Sequence, residues 1–218
     1  MLAANMMLVP PHDAVAKAEQ KTSAVKILGI SGSGRRDSYN TALLIAAQEF
    51  LSADVTLELY DVSRFPLFNE DLEKTMPPAV KEFKGKIRAA DAIIFAEPEY
   101  NLSISAVMKN AVEWGNRPDG DNSWDGKPAA IVSASTGSKG GARAQLELRK
   151  IMVDLNMHPI NQPQFLLANS REKFDPQLRL TDERARQLLQ ELISALLQWT
   201  FKLRGGFADV APLSQQRP

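Results

Sequence analysis

Four side chains able to hold a phosphate fall within one short stretch, SGSGRRDSYN at residues 31–40. Ser33, Ser38 and Asn40 offer neutral hydrogen bonds, and Arg35 offers a charge-assisted one. Main-chain N–H groups at a glycine-bearing loop that opens a helix add more, together with the positive end of the helix dipole. Two better-known phosphate motifs do not fit. Gly29 and Gly34 have the outer spacing of a Walker loop, but Arg35-Arg36 follows where Lys-Ser/Thr is required. Gly32-x-Gly34 starts a dinucleotide fingerprint, but Asp37 takes the place of the third glycine. A hydroxyl-rich loop with one well-placed arginine suits a terminal phosphomonoester better than a bridging pyrophosphate.

Two further loops carry unusual chemistry. In EPEYN, Pro98 stiffens the chain and keeps Glu97 extended, so the amides of Glu99, Tyr100 and Asn101 are expected to face a flat heteroaromatic ring. In STGSKGG, Gly137, Gly140 and Gly141 allow close backbone approach, while Ser135 and Thr136 supply hydroxyls. Alone, EPEYN reads equally well as an ordinary strand-to-helix turn, and STGSKGG as a flexible surface loop.

The elements that position these loops follow from hydrophobic pattern. Val25 to Ile30 reads as a buried strand, and Leu43, Leu44, Ala47, Phe50 and Leu51 recur at helical spacing behind Ser38 as cap. VTLELY (55–60), AIIFA (92–96) and AAIVSA (129–134) predict strands two to four, with a fifth near Pro159 to Leu166. Helices are expected from Pro77-Pro78, around Ile104 to Val112, over 142–155, and behind Thr181, where a leucine stripe runs to Gly205-Gly206. Five strands alternating with five helices predict an α/β fold with a doubly wound parallel sheet, helices on both faces and right-handed crossovers. Ligands in such sheets bind beyond the carboxyl ends of the strands. The loops after strands one, three and four should therefore converge.

Composition sets limits. The chain has 218 residues, 26 basic and 26 acidic side chains, and no cysteine. One domain is expected, at 24–204, between an extension (1–23) and a tail (205–218). Balanced charge points away from nucleic acid and membrane surfaces as partners. Lack of cysteine removes thiol nucleophiles, disulfides and cysteine metal sites. His12 and His158 are the only histidines, so a His-rich metal centre is excluded, and His158 reads as structural. No stretch is long enough to span a membrane, the N-terminus makes a poor targeting signal, and the cytoplasm is the default location.

A phosphate at the first loop and a planar ring between the other two describe riboflavin phosphate. At this point the chain resembles the NADPH-dependent FMN reductases of flavodoxin-like fold, which include quinone, azo-dye and chromate reductases. The motifs that carry the resemblance are Gly32-Ser33-x-Arg35-x-x-Ser38-x-Asn40, Pro98-Glu99-Tyr100-Asn101 with Lys109-Asn110-Ala111-x-Glu113-Trp114 downstream, and Ser135-x-Gly137-x-x-Gly140-Gly141-Ala142-Arg143. Gly34 departs from the pattern, standing where an apolar residue is usual.

The resemblance implies strand order 2-1-3-4-5. It implies FMN as cofactor, with Ser33, Arg35, Ser38, Tyr39 and Asn40 at the phosphate. Pro98, Glu99, Tyr100, Asn101, Ser135, Thr136, Gly137 and Gly140 would lie at the isoalloxazine. It further implies a ping-pong cycle in which NADPH (or NADH) gives hydride to flavin N5 and a quinone, azo compound, flavin or oxyanion collects the electrons. A homodimer, sometimes paired into a tetramer, is implied too. No side-chain acid or base is expected to be catalytic. The loop from Asp61 to Pro78 and the segment from Gly115 to Lys127 are candidate substrate walls. A flavodoxin-type carrier without an NADPH site is the rival; carriers of that type are usually strongly acidic, unlike this chain.

Overall fold

The computed structural model describes residues 24–205. The expected extension, with His12, and the chain beyond Gly205 lie outside the described residues.

Strands β1 (Val25–Ser31), β2 (Val55–Tyr60), β3 (Ala92–Ala96), β4 (Pro128–Ala134) and β5 (His158–Pro159) form a parallel sheet in the order β2-β1-β3-β4-β5. This is the flavodoxin-like order. Helices α1 (Tyr39–Gln48) and α5 (Glu183–Gly205) cover one face; α2 (Pro78–Ala89), α3 (Ala106–Gly115) and α4 (Ala142–Asp154) cover the other. Strand alternation sorts the core between them. Ile27, Leu57, Ile94 and Val132 pack with Leu43, Leu189, Leu192 and Leu196 on the first face. Leu28, Ile30, Ile93, Phe95 and Ile131 pack with Phe83, Met108, Trp124 and Leu148 on the second. All of β3 is buried, as a central parallel strand covered on both sides must be.

Two expectations change in detail. The single fifth strand is two short pieces, β5 and β6 (Phe165–Leu167), each pairing parallel with β4. Between them Asn161-Gln162-Pro163 leaves the ladder, and Pro163 has no N–H to donate to it. The cap of α5 is Asp182 rather than Thr181: its Oδ1 accepts the Ala185 amide at 2.9 Å, while the Thr181 hydroxyl turns to the Lys173 carbonyl. A carboxylate there also complements the helix dipole. His158 sits in β5, where its carbonyl accepts the Trp199 indole at 2.9 Å.

Candidate functional site

Order reversal between β1 and β3 sends their connections to opposite faces and opens the sheet's carboxyl edge at that point. The three chemistry-bearing loops meet there, and side chains tie them together. Asn40, buried at the start of α1, donates to the Ala134 carbonyl at 3.0 Å and accepts the Ala134 amide at 2.9 Å. Loop one is thereby fixed to the end of β4. Glu99 accepts from the Arg143 amide and guanidinium at 3.0 and 2.8 Å, which fixes loop three to the first turn of α4. Burial raises the Glu99 carboxyl, but these hydrogen bonds from Arg143 outweigh it and hold the acid below its ordinary value.

In loop one the Ser33 amide donates to Ser31 Oγ and the Arg35 amide to Ser33 Oγ. Ser38 Oγ accepts the Thr41 amide at 3.2 Å as the cap of α1. Tyr39 and Asn40 open that helix, so their N–H groups have no acceptor within it. Arg35 is exposed and has no carboxylate partner among the described residues. A cleft of about 550 Å³ runs along the β2 side of the loop, lined by Ser31, Ser33, Arg35, Thr41, Asp61 and Arg64. The structure puts two expected ligands to other side-chain uses. The Tyr39 ring packs on Phe174, centroids 5.0 Å apart, and the Asn40 amide is taken by Ala134.

Loop three is a tight turn. Tyr100 and Ser103 exchange backbone hydrogen bonds of 3.0–3.1 Å around Asn101 (φ 48°) and Leu102 (φ 69°). Positive φ at both corners makes it a type I′ turn, normally reserved for Asn and Gly. The expected offer of the Tyr100 amide is therefore corrected, since Ser103 takes it. The Tyr100 ring stays free at 49 % exposure.

Loop four is held from below. The Ser135 amide donates to the Leu167 carbonyl and is likewise unavailable, while the Ser170 and Asn169 amides donate to the Ser135 and Gly137 carbonyls. Gly140 (φ 61°) is buried against Leu166, whose carbonyl carbon would lie 2.8 Å from an added Cβ. Ser133 donates to the Gly140 carbonyl at 2.5 Å and itself accepts from Gln145. Gly140 thus shapes the loop from inside, whereas Thr136 and Gly137 are exposed on its tip.

Both candidate walls are tethered. Asn110 and Trp114 of α3 donate to the Pro66 carbonyl, and Asn110 accepts the Phe68 amide, which pins the loop after β2. Lys84 of α2, 2 % exposed, donates to the carbonyls of Gly115, Arg117 and Asp121 and so gathers the segment before β4. Burial pulls its ammonium below the ordinary lysine value, opposed by Asp121.

One residue at this edge escaped the reading of the sequence. Glu97 follows β3 and is 0 % exposed. Its Oε1 accepts the Ser105 amide at 2.6 Å, and its Oε2 is enclosed with no hydrogen-bond partner. A Cβ on Gly32 would lie 2.5 Å from that oxygen and 2.7 Å from Ser105 Oγ. Loop one therefore rests directly on a buried carboxyl. Burial pushes its pKa up to about 8 against the opposing pull of the Ser105 hydrogen bonds. No signal short of the tertiary contact marks it out within EPEYN.

Free amides at a helix start, an unpaired guanidinium, an exposed aromatic and a hydroxyl-tipped loop share one edge. The sequence of residues 25–172 matches the family described as NADPH-dependent FMN reductase. The chain belongs to that family. It is 47 % identical over 182 residues to an NAD(P)H-dependent FMN reductase of Pseudomonas aeruginosa, covering 83 % of this chain and 98 % of that one. An NAD(P)H:quinone oxidoreductase of Solanum tuberosum is 44 % identical over 188 residues, 83 % and 95 % of the two chains. Among solved structures, FerB, a flavoenzyme NAD(P)H:(acceptor) oxidoreductase of Paracoccus denitrificans, superposes with a TM-score of 0.76 at 31 % identity, covering 82 % of this chain and 98 % of that one. FMN is thus the cofactor and NAD(P)H the reductant of this oxidoreductase family. The donor set of loop one fits an FMN phosphate: hydroxyls, main-chain N–H groups and the Arg35 guanidinium, which no carboxylate pairs among the described residues. Among the described residues no group of acidic, histidine or cysteine side chains could hold a metal ion, and no helix is long and apolar enough to cross a membrane.

Proposed function

We propose that this FMN reductase passes electrons from NAD(P)H to quinones in two half-reactions at the carboxyl edge of the sheet. The reading rests on one observation above the others: the open first turn of α1 and the unpaired Arg35 stand on the same edge as the exposed Tyr100 and Thr136. The quinone acceptor is carried over from the potato relative and from FerB's general acceptor. When bound, FMN would supply the redox chemistry, the transfer of a hydride's two electrons and proton from NAD(P)H to the quinone, which needs one further proton from solvent to become the hydroquinone.

The chain's own part is placement. Ser33, Arg35 and Ser38 bind the phosphate with their side chains, and Tyr39 and Asn40 with their amides. Tyr100 packs beside the ring, and the amides of Glu99, Asn101 and Thr136 meet its polar edge. Pro98, Ser135, Gly137 and Gly140 hold those two loops in shape. The tethered loops 61–77 and 115–127 wall the acceptor's approach and limit water. The protein works as a homodimer in the cytoplasm, with the ring near the subunit boundary.

Titrating the apo-protein with FMN, followed by flavin fluorescence, tests the placement. Arg35→Ala is expected to weaken binding about tenfold to a hundredfold, the value of a charge-assisted contact of about 1.5–3 kcal/mol. Unchanged affinity would remove the phosphate from loop one. Rapid mixing of loaded protein with NADPH should bleach the flavin without any partner protein; a simple carrier would stay oxidised.

A further inference from the structure

The buried carboxyl beneath loop one has no part in the function described so far. Glu97 reaches Gly32 from the end of β3, so any change in its charge is felt at the backbone that carries Ser33 and Arg35. Its enclosed Oε2 has no hydrogen-bond partner, so an anion there is opposed by burial and rests on the Ser105 contacts alone. Phosphate adds further negative charge on the other side of the same glycine loop. An anion on Glu97, 0 % exposed, would repel a phosphate held across that backbone, because a buried charge is poorly screened.

We propose that Glu97 is a positioning residue for the FMN phosphate, supporting loop one while its carboxyl holds a proton and driving FMN off when that proton is lost. This rests on the reading of loop one as the phosphate site. A neutral carboxyl can keep Oε1 on the Ser105 amide and leave Oε2 as a hydroxyl against Gly32. Ionised, it has no cationic side chain paired with it among the described residues. On the surrounding elements the ionisable side chains are Arg35, Arg36 and Asp37 of loop one, and Glu99 and Tyr100 of loop three. Asp61 and Arg64 after β2, Lys109 and Glu113 of α3, Lys139 of loop four and Arg143 of α4 complete the set. Glu99 is paired with Arg143 and Lys109 with Glu113. None of these residue types ordinarily titrates between pH 7 and 9, and the second ionisation of a phosphomonoester, centred near pH ~6, is largely over by pH 7 and can only tighten binding above it. A change of affinity in that window belongs to Glu97.

The experiment is an FMN titration of the full-length apo-protein at pH 7, 8 and 9, repeated with riboflavin, which lacks the phosphate, and with Glu97→Gln. Wild type should show a Kd for FMN that rises about tenfold from pH 7 to pH 9, as follows when only the protonated form binds. Riboflavin binding, and FMN binding to the variant, should stay within about twofold, as expected of groups with no titration in that range. Parallel profiles for wild type and Glu97→Gln overturn the inference and leave the phosphate site standing. Failure of wild type to bind FMN at any pH overturns the site reading and the inference with it. Calorimetry on wild type alone, in two buffers of different ionisation enthalpy at pH 8.5, covers a variant that does not fold. It should show uptake of about three quarters of a proton per FMN, and a value near zero refutes the proposal.

Discussion

Replacing Glu97 with Gln should stabilise the apo-protein, and the gain should grow with pH. A glutamine keeps the oxygen that accepts the Ser105 amide and removes the charge that burial opposes. The carboxyl's pKa rises from 4.5 to about 8 on folding, so the folded state binds a proton more tightly than the unfolded chain does. Stability from that proton is fully present below about pH 4.5. It fades as pH climbs and is gone above about 8. Such a displacement corresponds to roughly 4–5 kcal/mol at its limit and about 3 kcal/mol at pH 7. The difference between variant and wild type should therefore open from near zero at pH 4.5 to several kcal/mol at pH 8. Other shifted acids act outside this window. Asp61, Asp175 and Asp182 are held low by hydrogen bonds from Ser63, Arg179 and Lys173, so their contribution is lost only as pH falls through their depressed values. Urea unfolding at pH 5, 6.5 and 8, read by tryptophan fluorescence, gives the two curves. If the midpoints of wild type and variant stay a constant distance apart, the carboxyl does not carry the charge penalty assigned to it.

Two other perturbations probe the walls and the turn. Lys84→Met strips the carbonyls of Gly115, Arg117 and Asp121 of their shared donor, and should cost about 3 kcal/mol in urea unfolding because the last two lose it in a part-buried place, while Gly115 keeps the Ser123 amide. Amide exchange across 116–127 should then rise at least about tenfold, consistent with local opening; protection equal to wild type would mean the segment holds its shape unaided. Leu102→Gly should raise stability by about 0.5–1 kcal/mol, since it relieves a side chain at φ 69° that is 62 % exposed and buries little. A lower melting temperature in that variant would show that the leucine makes a contact worth more than its strain.

Legibility from sequence followed the range of the interactions. Strands β1 to β4 are written locally, as short apolar or alternating runs between loop residues, and VTLELY forms the strand 55–60 that its alternation predicts. The helix stripes were equally plain, down to Ala185, Leu189, Leu192, Ile193 and Leu196 facing the sheet. Where a role depends on a residue far along the chain, pattern alone could not assign it. Asn40 reads as a free amide beside a phosphate loop until Ala134, 94 residues later, occupies both its polar atoms. Tyr100 offers its amide on paper, yet the turn closed by Ser103 consumes it. Glu97 shows the limit most sharply. In EPEYN it is one acid among loop residues, and only the approach of Gly32 and Ser105 encloses it. Gly32, in the loop proposed to receive the phosphate, is also what lets that loop come down onto a carboxyl. Loop shape and the cost of an ionised Glu97 therefore have a common origin, and a Cβ at position 32 would disturb both.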